Sequence, residues 1–247
     1  MSRTEVAEAA CEALFGSVEA IDDVSQVSSN EAQSVPDWWL ELVAVPQQES
    51  IQRVLAQWNE VFSGKLPTYI SGLKKYCTDI FLVRTRSDRF TGLALLYRMD
   101  VPDKGVKFLI GYPPTKSVDN SLAAPPPLLK EFHSSLHDGI GEFFDCRAPG
   151  LFGSNELITW ESWVGEPIAY LMAPPVPSLI PSDIYLFYYD GAGGYITFNT
   201  DQNVSGVWCV VNGVFEEDSN GSRDLWDVLD AWWSFFFGFT NKSPSEE

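Results

Sequence analysis

The chain has 247 residues, 45% of them apolar and 14% aromatic, with a formal net charge of −18. That length and apolar content permit a sizeable core and exclude a disordered chain. Such acidity repels nucleic acid and anionic membrane and accelerates encounter with a basic protein. No segment approaches the roughly 18 uninterrupted apolar residues of a membrane span, and Glu5, Glu8 and Glu12 after Arg3 are unlike a secretory leader. Cys11, Cys77, Cys146 and Cys209 stand far apart with no C-x-x-C pair, which fits free thiols in a reducing cytoplasm.

Charge is uneven along the chain. Residues 1–34 hold seven acids against Arg3, net −6, and read as a loosely attached acidic arm with a short helix over 6–18. Residues 35–120 hold nine acids and eleven bases, net +2, and read as an N-terminal helix plus β-meander subdomain. Residues 121–247 hold eighteen acids and four bases, net −14, and read as a second α+β domain.

In chain order, Trp38 and Trp39 open an aromatic segment. Ile51, Val54, Leu55, Trp58, Val61 and Phe62 then form one apolar stripe, predicting a helix with Ser50 as N-cap and Gly64 as stop. A shorter helix follows from Leu66-Pro67 to Tyr76. Residues 80–85, 90–99 and 106–112 are β-branched and aromatic between turn signals and predict a three-stranded meander. Pro125-Pro126-Pro127 marks the best internal boundary. Short helices are expected over 128–136 and 156–163, and strands over 184–189 and 195–199 around Asp190-Gly191. A further hairpin, 207–211 with 214–216, turns at Asn212-Gly213, where positive φ is needed. A last helix runs from Ser222 as N-cap, with Leu225, Val228, Leu229 and Trp232 as its buried stripe. Hairpins and helices in separate blocks give an α+β class, an antiparallel sheet with helices packed on it.

Little points to catalysis. His133 and His137 are four apart on one short helix, but Ser134-Ser135-Leu136 between them lacks the glutamate of H-E-x-x-H. Zinc would need Cys146 or Asp138 as a third ligand, so ordinary helix-surface histidines and no cofactor or metal are expected. Gly191, Gly193 and Gly194 lie between strands and read as turn glycines, since a phosphate cradle needs a following helix. Arg84, Arg86, Arg89 and Arg98 read as a solvated or salt-bridged face. Carboxylates are too abundant for any one pair to identify a hydrolase.

Binding is the stronger reading. Glu216, Glu217 and Asp218 end a strand, and Asp224, Asp227 and Asp230 follow on the polar side of the last helix, predicting one negative face. Trp226 and Trp233 flank the helix stripe as core residues or as partly exposed anchors, Trp226 being the candidate contact. Glu142, Asp145, Glu156 and Glu161 form a second acidic group.

Several segments resemble the SUKH superfamily, which includes bacterial toxin-immunity proteins and fungal regulators of cell-wall synthesis. They are 127–139, ending His137-Asp138-Gly139; Gly150-Leu151-Phe152; Thr159-Trp160-Glu161-Ser162-Trp163; 187–199; and Leu225-Trp226-Asp227-Val228-Leu229. Asn199 departs from the acid usual there, and Pro125-Pro126-Pro127 replaces the usual Leu-Pro. The resemblance covers about residues 121–240 and implies a SUKH-like α+β fold, no catalytic apparatus and a variable protein-binding face. It implies an immunity protein that neutralises a cognate toxin in the bacterial cytoplasm; charge adds that the toxin is basic, as nucleases commonly are. The alternatives are a regulatory scaffold of the fungal kind and, behind it, a carboxylate-using hydrolase.

Overall fold

Between residues 77 and 111 apolar side chains occupy successive positions, so a strand there must be covered on both sides. The computed structural model describes residues 1–14, 16–87, 90–115, 125–142, 149–164, 181–200, 208–211, 214–217 and 224–240, with backbone alone at 164, 181, 208–211 and 214–217. In it β2 (Cys77–Arg86), β3 (Thr91–Val101) and β4 (Gly105–Gly111) form the predicted antiparallel meander, Phe81 opposite Leu96 and Leu96 opposite Ile110. Ile80, Leu82, Leu95, Tyr97 and Leu109 enter the main core, while Phe81, Val83, Leu96, Phe108 and Ile110 form a second layer on the opposite face.

That second layer is closed by the segment expected to be a loose arm. Helix α1 (Arg3–Leu14) lays Val6, Ala7, Ala10 and Leu14 on the sheet, and β1 (Ser17–Ala20) pairs antiparallel with β2. The segment's acidity is confined to its outer face, where Glu8 and Glu12 are exposed, so net charge concealed a buried alanine-rich stripe. Arg3 also reaches across to the carbonyls of Leu42, Val43 and Val45 at 3.1–3.3 Å, satisfying the open end of α3 (Asp37–Ala44).

The opposite face carries the larger helical layer. A capping box between Ser28 and Glu31 opens α2 (Ser29–Ser34). Helix α4 (Gln47–Phe62) buries the whole predicted stripe but starts a turn early at Pro46, so Ser50 is a buried interior residue whose hydroxyl faces the Leu42 carbonyl. It stops at Ser63 and Gly64, both at positive φ. Helix α5 (Pro67–Tyr76) follows, and the last helix, α8 (Leu225–Phe236), packs beside it. Gly72 makes that approach possible, since a Cβ there would stand 2.1 Å from the Phe239 ring.

The rest of the sheet continues in chain order. β5 (Ile140–Gly141) pairs with β4, then β6 (Gly150–Leu151), β8 (Ile184–Tyr189), β9 (Tyr195–Asn199), β10 (Trp208–Val211) and β11 (Val214–Glu217) add one by one, while β7 (Ile158–Thr159) pairs with β8 off this path. Helix α6 (Pro127–Glu131) runs into a π-turn, Phe132–Leu136, and α7 (Trp160–Val164) follows β7, where one helix over 156–163 was expected. Sheet and main core both run across residue 120, so the expected boundary there does not separate two cores. The fold is α+β: an antiparallel sheet with helices packed on it.

Candidate functional site

Where the predicted acidic face should lie, α8 divides its acids by burial. Asp224, not Ser222, is the N-cap, accepting from the Trp226 N–H at 2.9 Å, and it pairs with Lys65 at 2.6 Å. Ser222 lies outside the described residues. Asp227 is exposed. Asp230 is not a surface group: it is buried and accepts the backbone N–H groups of Thr68 and Tyr69 at 3.0 and 2.8 Å. The start of α5 has no cap of its own, because Leu66 in the N-cap position offers no acceptor, so a carboxylate from another helix supplies it.

Trp226 is core rather than a contact, 7% exposed, with its ring edge-on to Phe62 at 5.7 Å. Trp233 is fully buried and stacks on Tyr69 at 3.8 Å. Asp230 and Trp226 leave the predicted face because α8 is covered over a wider arc than its four-residue stripe implied, while Asp224 and Asp227 stay exposed. Glu216 and Glu217 stand on β11 opposite Cys209 and Trp208; their side chains, Asp218 and Asp145 lie outside the described residues. Glu142 is half-buried and paired with Lys107 at 3.0 Å, and Glu161 is exposed on α7.

Both histidines, expected on a helix surface, are fully buried. Trp58 Nε1–H donates to the Tyr97 hydroxyl at 3.1 Å, which leaves the Tyr97 O–H to donate to His137 Nε2 at 2.6 Å. Nδ1–H of His137 then donates to the Tyr112 carbonyl at 3.3 Å, so the imidazole is neutral, and burial pushes its pKa down to about 3. His133 bonds through Nε2 to the Phe152 carbonyl at 2.9 Å, and burial lowers its pKa against the opposing pull of Asp138. Asp138 itself accepts from Ser154 N–H at 2.6 Å and Ser154 Oγ–H at 3.0 Å, so this serine is tied to a carboxylate and not to an imidazole. Gly139 has φ +95°, and a Cβ there would meet the Gly153 nitrogen at 2.8 Å. His137-Asp138-Gly139 thus lock one corner of the fold. The turn glycines Gly191 and Gly193 have positive φ within the β8–β9 connection, which Asp190 holds by accepting from Ala192 and Gly194 N–H at 2.7 Å each. Arg84 bridges Glu19 and Glu31, and Arg98 bridges Asp79 and Asp100.

Beyond that corner lies an open groove of about 580 Å³ between the end of α2, the start of β3 and the turn at 153–156. Phe90 and Tyr112, edge-to-face at 5.1 Å, line it with Pro113 and Pro114. Asp138, whose N–H donates to the Tyr112 carbonyl at 3.2 Å, and Glu156, which accepts the Gly153 N–H at 2.8 Å, line it too. Of the predicted contacts only Glu156 belongs to it. Asp138 was legible as part of a motif and as a third ligand zinc would need, and Phe90 and Tyr112 only as strand residues. Among the described residues no group of three or more His, Cys, Asp or Glu is placed to hold a metal ion, and no helix is long and apolar enough to cross a membrane. Compared with protein-family models, with curated proteins and with solved structures, the chain finds no match.

Proposed function

We propose that this chain binds a basic protein and, following the resemblance of its C-terminal half to the SUKH superfamily, that the partner is a cognate toxin which it neutralises in the bacterial cytoplasm. The net charge of −18 carries the reading, because a field of that sign speeds encounter with a cationic surface and rejects nucleic acid. Exposed Asp227 and Glu161 and half-exposed Asp224 remain as contact groups, with Glu216, Glu217 and Asp218 as further candidates. The commitment of both histidines to the core, as neutral hydrogen-bonded groups, favours binding over histidine-based catalysis.

The test is capture from the native cell with tagged protein, followed by reconstitution with the captured chain. A single basic partner at near-equal stoichiometry, associating more slowly as salt rises, is expected. Capture of neutral or acidic chains only, or an association rate indifferent to salt, refutes the reading.

A further inference from the structure

The tryptophan that α8 shows to solvent is not the one its sequence singles out. Trp226 is core, whereas Trp232, expected in the buried stripe, keeps part of its indole exposed. One edge of that indole rests on Gly194, at the turn between β8 and β9, where a Cβ would stand 2.7 Å from Trp232 Cζ3. The same Cβ would collide with Asp190 Oδ2, so carboxylate and indole converge on one point of the surface. Asp190 is itself partly exposed, and its other oxygen, Oδ1, accepts the N–H groups of Ala192 and Gly194 at 2.7 Å each. Those bonds fix the carboxylate while leaving Oδ2 to accept from a further donor, so it needs no ordering when one arrives. Among the described residues no lysine or arginine pairs with Asp190 or lies over the Trp232 ring. Phe236, one turn further along α8 and partly exposed, lies 5.9 Å from the Trp232 ring and extends the apolar surface. Indole is the aromatic ring that best holds a cation, and a planar guanidinium can lie against it while donating to a carboxylate alongside. An apolar stem behind that head would cover Phe236.

We infer that Trp232 and Asp190 form the contact point for an arginine side chain presented by the protein partner. The inference rests on the reading that the partner is basic, and it places the aromatic anchor two turns along α8 from Trp226.

The probe is N-acetyl-arginine amide, titrated into the 15N-labelled full chain, with the citrulline amide as its neutral counterpart. The expected result is saturating shifts of the Trp232 indole N–H and of the Ala192 and Gly194 amides with arginine, and none with citrulline. Asp190→Asn, which keeps the acceptor that the turn needs but removes the charge, should weaken the effect about fivefold. Should Asp190→Asn disturb the turn, Ala192→Lys serves in its place: this exposed residue would bring a competing cation and abolish the shifts. Equal shifts with arginine and citrulline, or none with either, overturn the contact. If arginine binds there but no basic partner is captured, the functional reading fails and the contact stands. If a basic partner is captured and the arginine amide leaves these resonances unmoved, the contact fails and the reading stands.

Discussion

Replacing Asp230 by alanine separates a structural carboxylate from a surface one. The substitution strips the acceptor from two N–H groups in the first turn of α5. Thr68 is exposed and water can replace the lost bond, whereas Tyr69 is fully buried and its N–H is left without an acceptor. Losing a helix cap costs about 1 kcal/mol, an unsatisfied buried donor about 1–3 kcal/mol, and the missing negative charge at the helix start a few tenths to about 1 kcal/mol. These terms overlap, so the expected loss is about 2–4 kcal/mol, or roughly 5–15 °C in Tm for a chain of this size. Asp230→Asn, which keeps one acceptor, should fall between. Urea unfolding followed by tryptophan fluorescence and far-ultraviolet circular dichroism measures it, with exposed Asp227→Ala as a control expected within about 0.5 kcal/mol of the parent. If Asp230→Ala matches Asp227→Ala in stability but loses partner binding, the buried-cap argument is wrong.

Tyr97→Phe removes the hydroxyl between Trp58 and His137, leaving a donor and an acceptor unpaired in a dry core; a loss of about 2–5 kcal/mol in urea unfolding is expected, and less than about 1 kcal/mol would refute the chain of bonds. Acidification should destabilise the fold in a defined window. His137 is held neutral in the folded state with a pKa near 3, while the unfolded chain takes up a proton below about 6.5, so stability is fully present above that pH and falls by about 1.4 kcal/mol per unit towards 3. His133 shifts in the same direction, whereas Glu31, held down to about 2 chiefly by Arg84, acts only below its ordinary value of 4.5. Urea midpoints unchanged between pH 6.5 and 5 would contradict this assignment. Deleting residues 1–14 should uncover Phe81, Val83, Leu96, Phe108 and Ile110 and give strong binding of a hydrophobic dye; a truncated chain that stays dye-free and monomeric would restore the loose-arm expectation.

The meander, the α4 stripe and the 184–199 hairpin were legible because each rests on a local period or turn: Ile51 to Phe62 repeats at helical spacing, and Asp190-Gly191 permits the positive φ that a tight connection needs. What escaped was set by distant residues. Nothing near Asp230 in sequence announces that α5 lacks a cap, and nothing near Glu5 or Glu12 announces that α1 covers a sheet face. The groove was illegible for the same reason, since Phe90, Asp138 and Glu156 meet only once β4 has passed the chain to β5. The histidines misled because four-residue spacing on a helix says which face they share, not whether that face meets water.

The cap that Asp230 places on α5 also orders events in time. Strands join the sheet largely in chain order, so during synthesis each new one finds its neighbour already formed. The α5 terminus, by contrast, waits for a residue 161 positions downstream of Tyr69, and the rings of Trp58 and Tyr69 wait with it for Trp233. At about 5–20 residues per second the nascent chain carries that aromatic surface uncovered for roughly ten to thirty seconds. The ribosome-bound intermediate is therefore a nearly complete sheet with an open flank, the stage at which a chaperone would have most to hold.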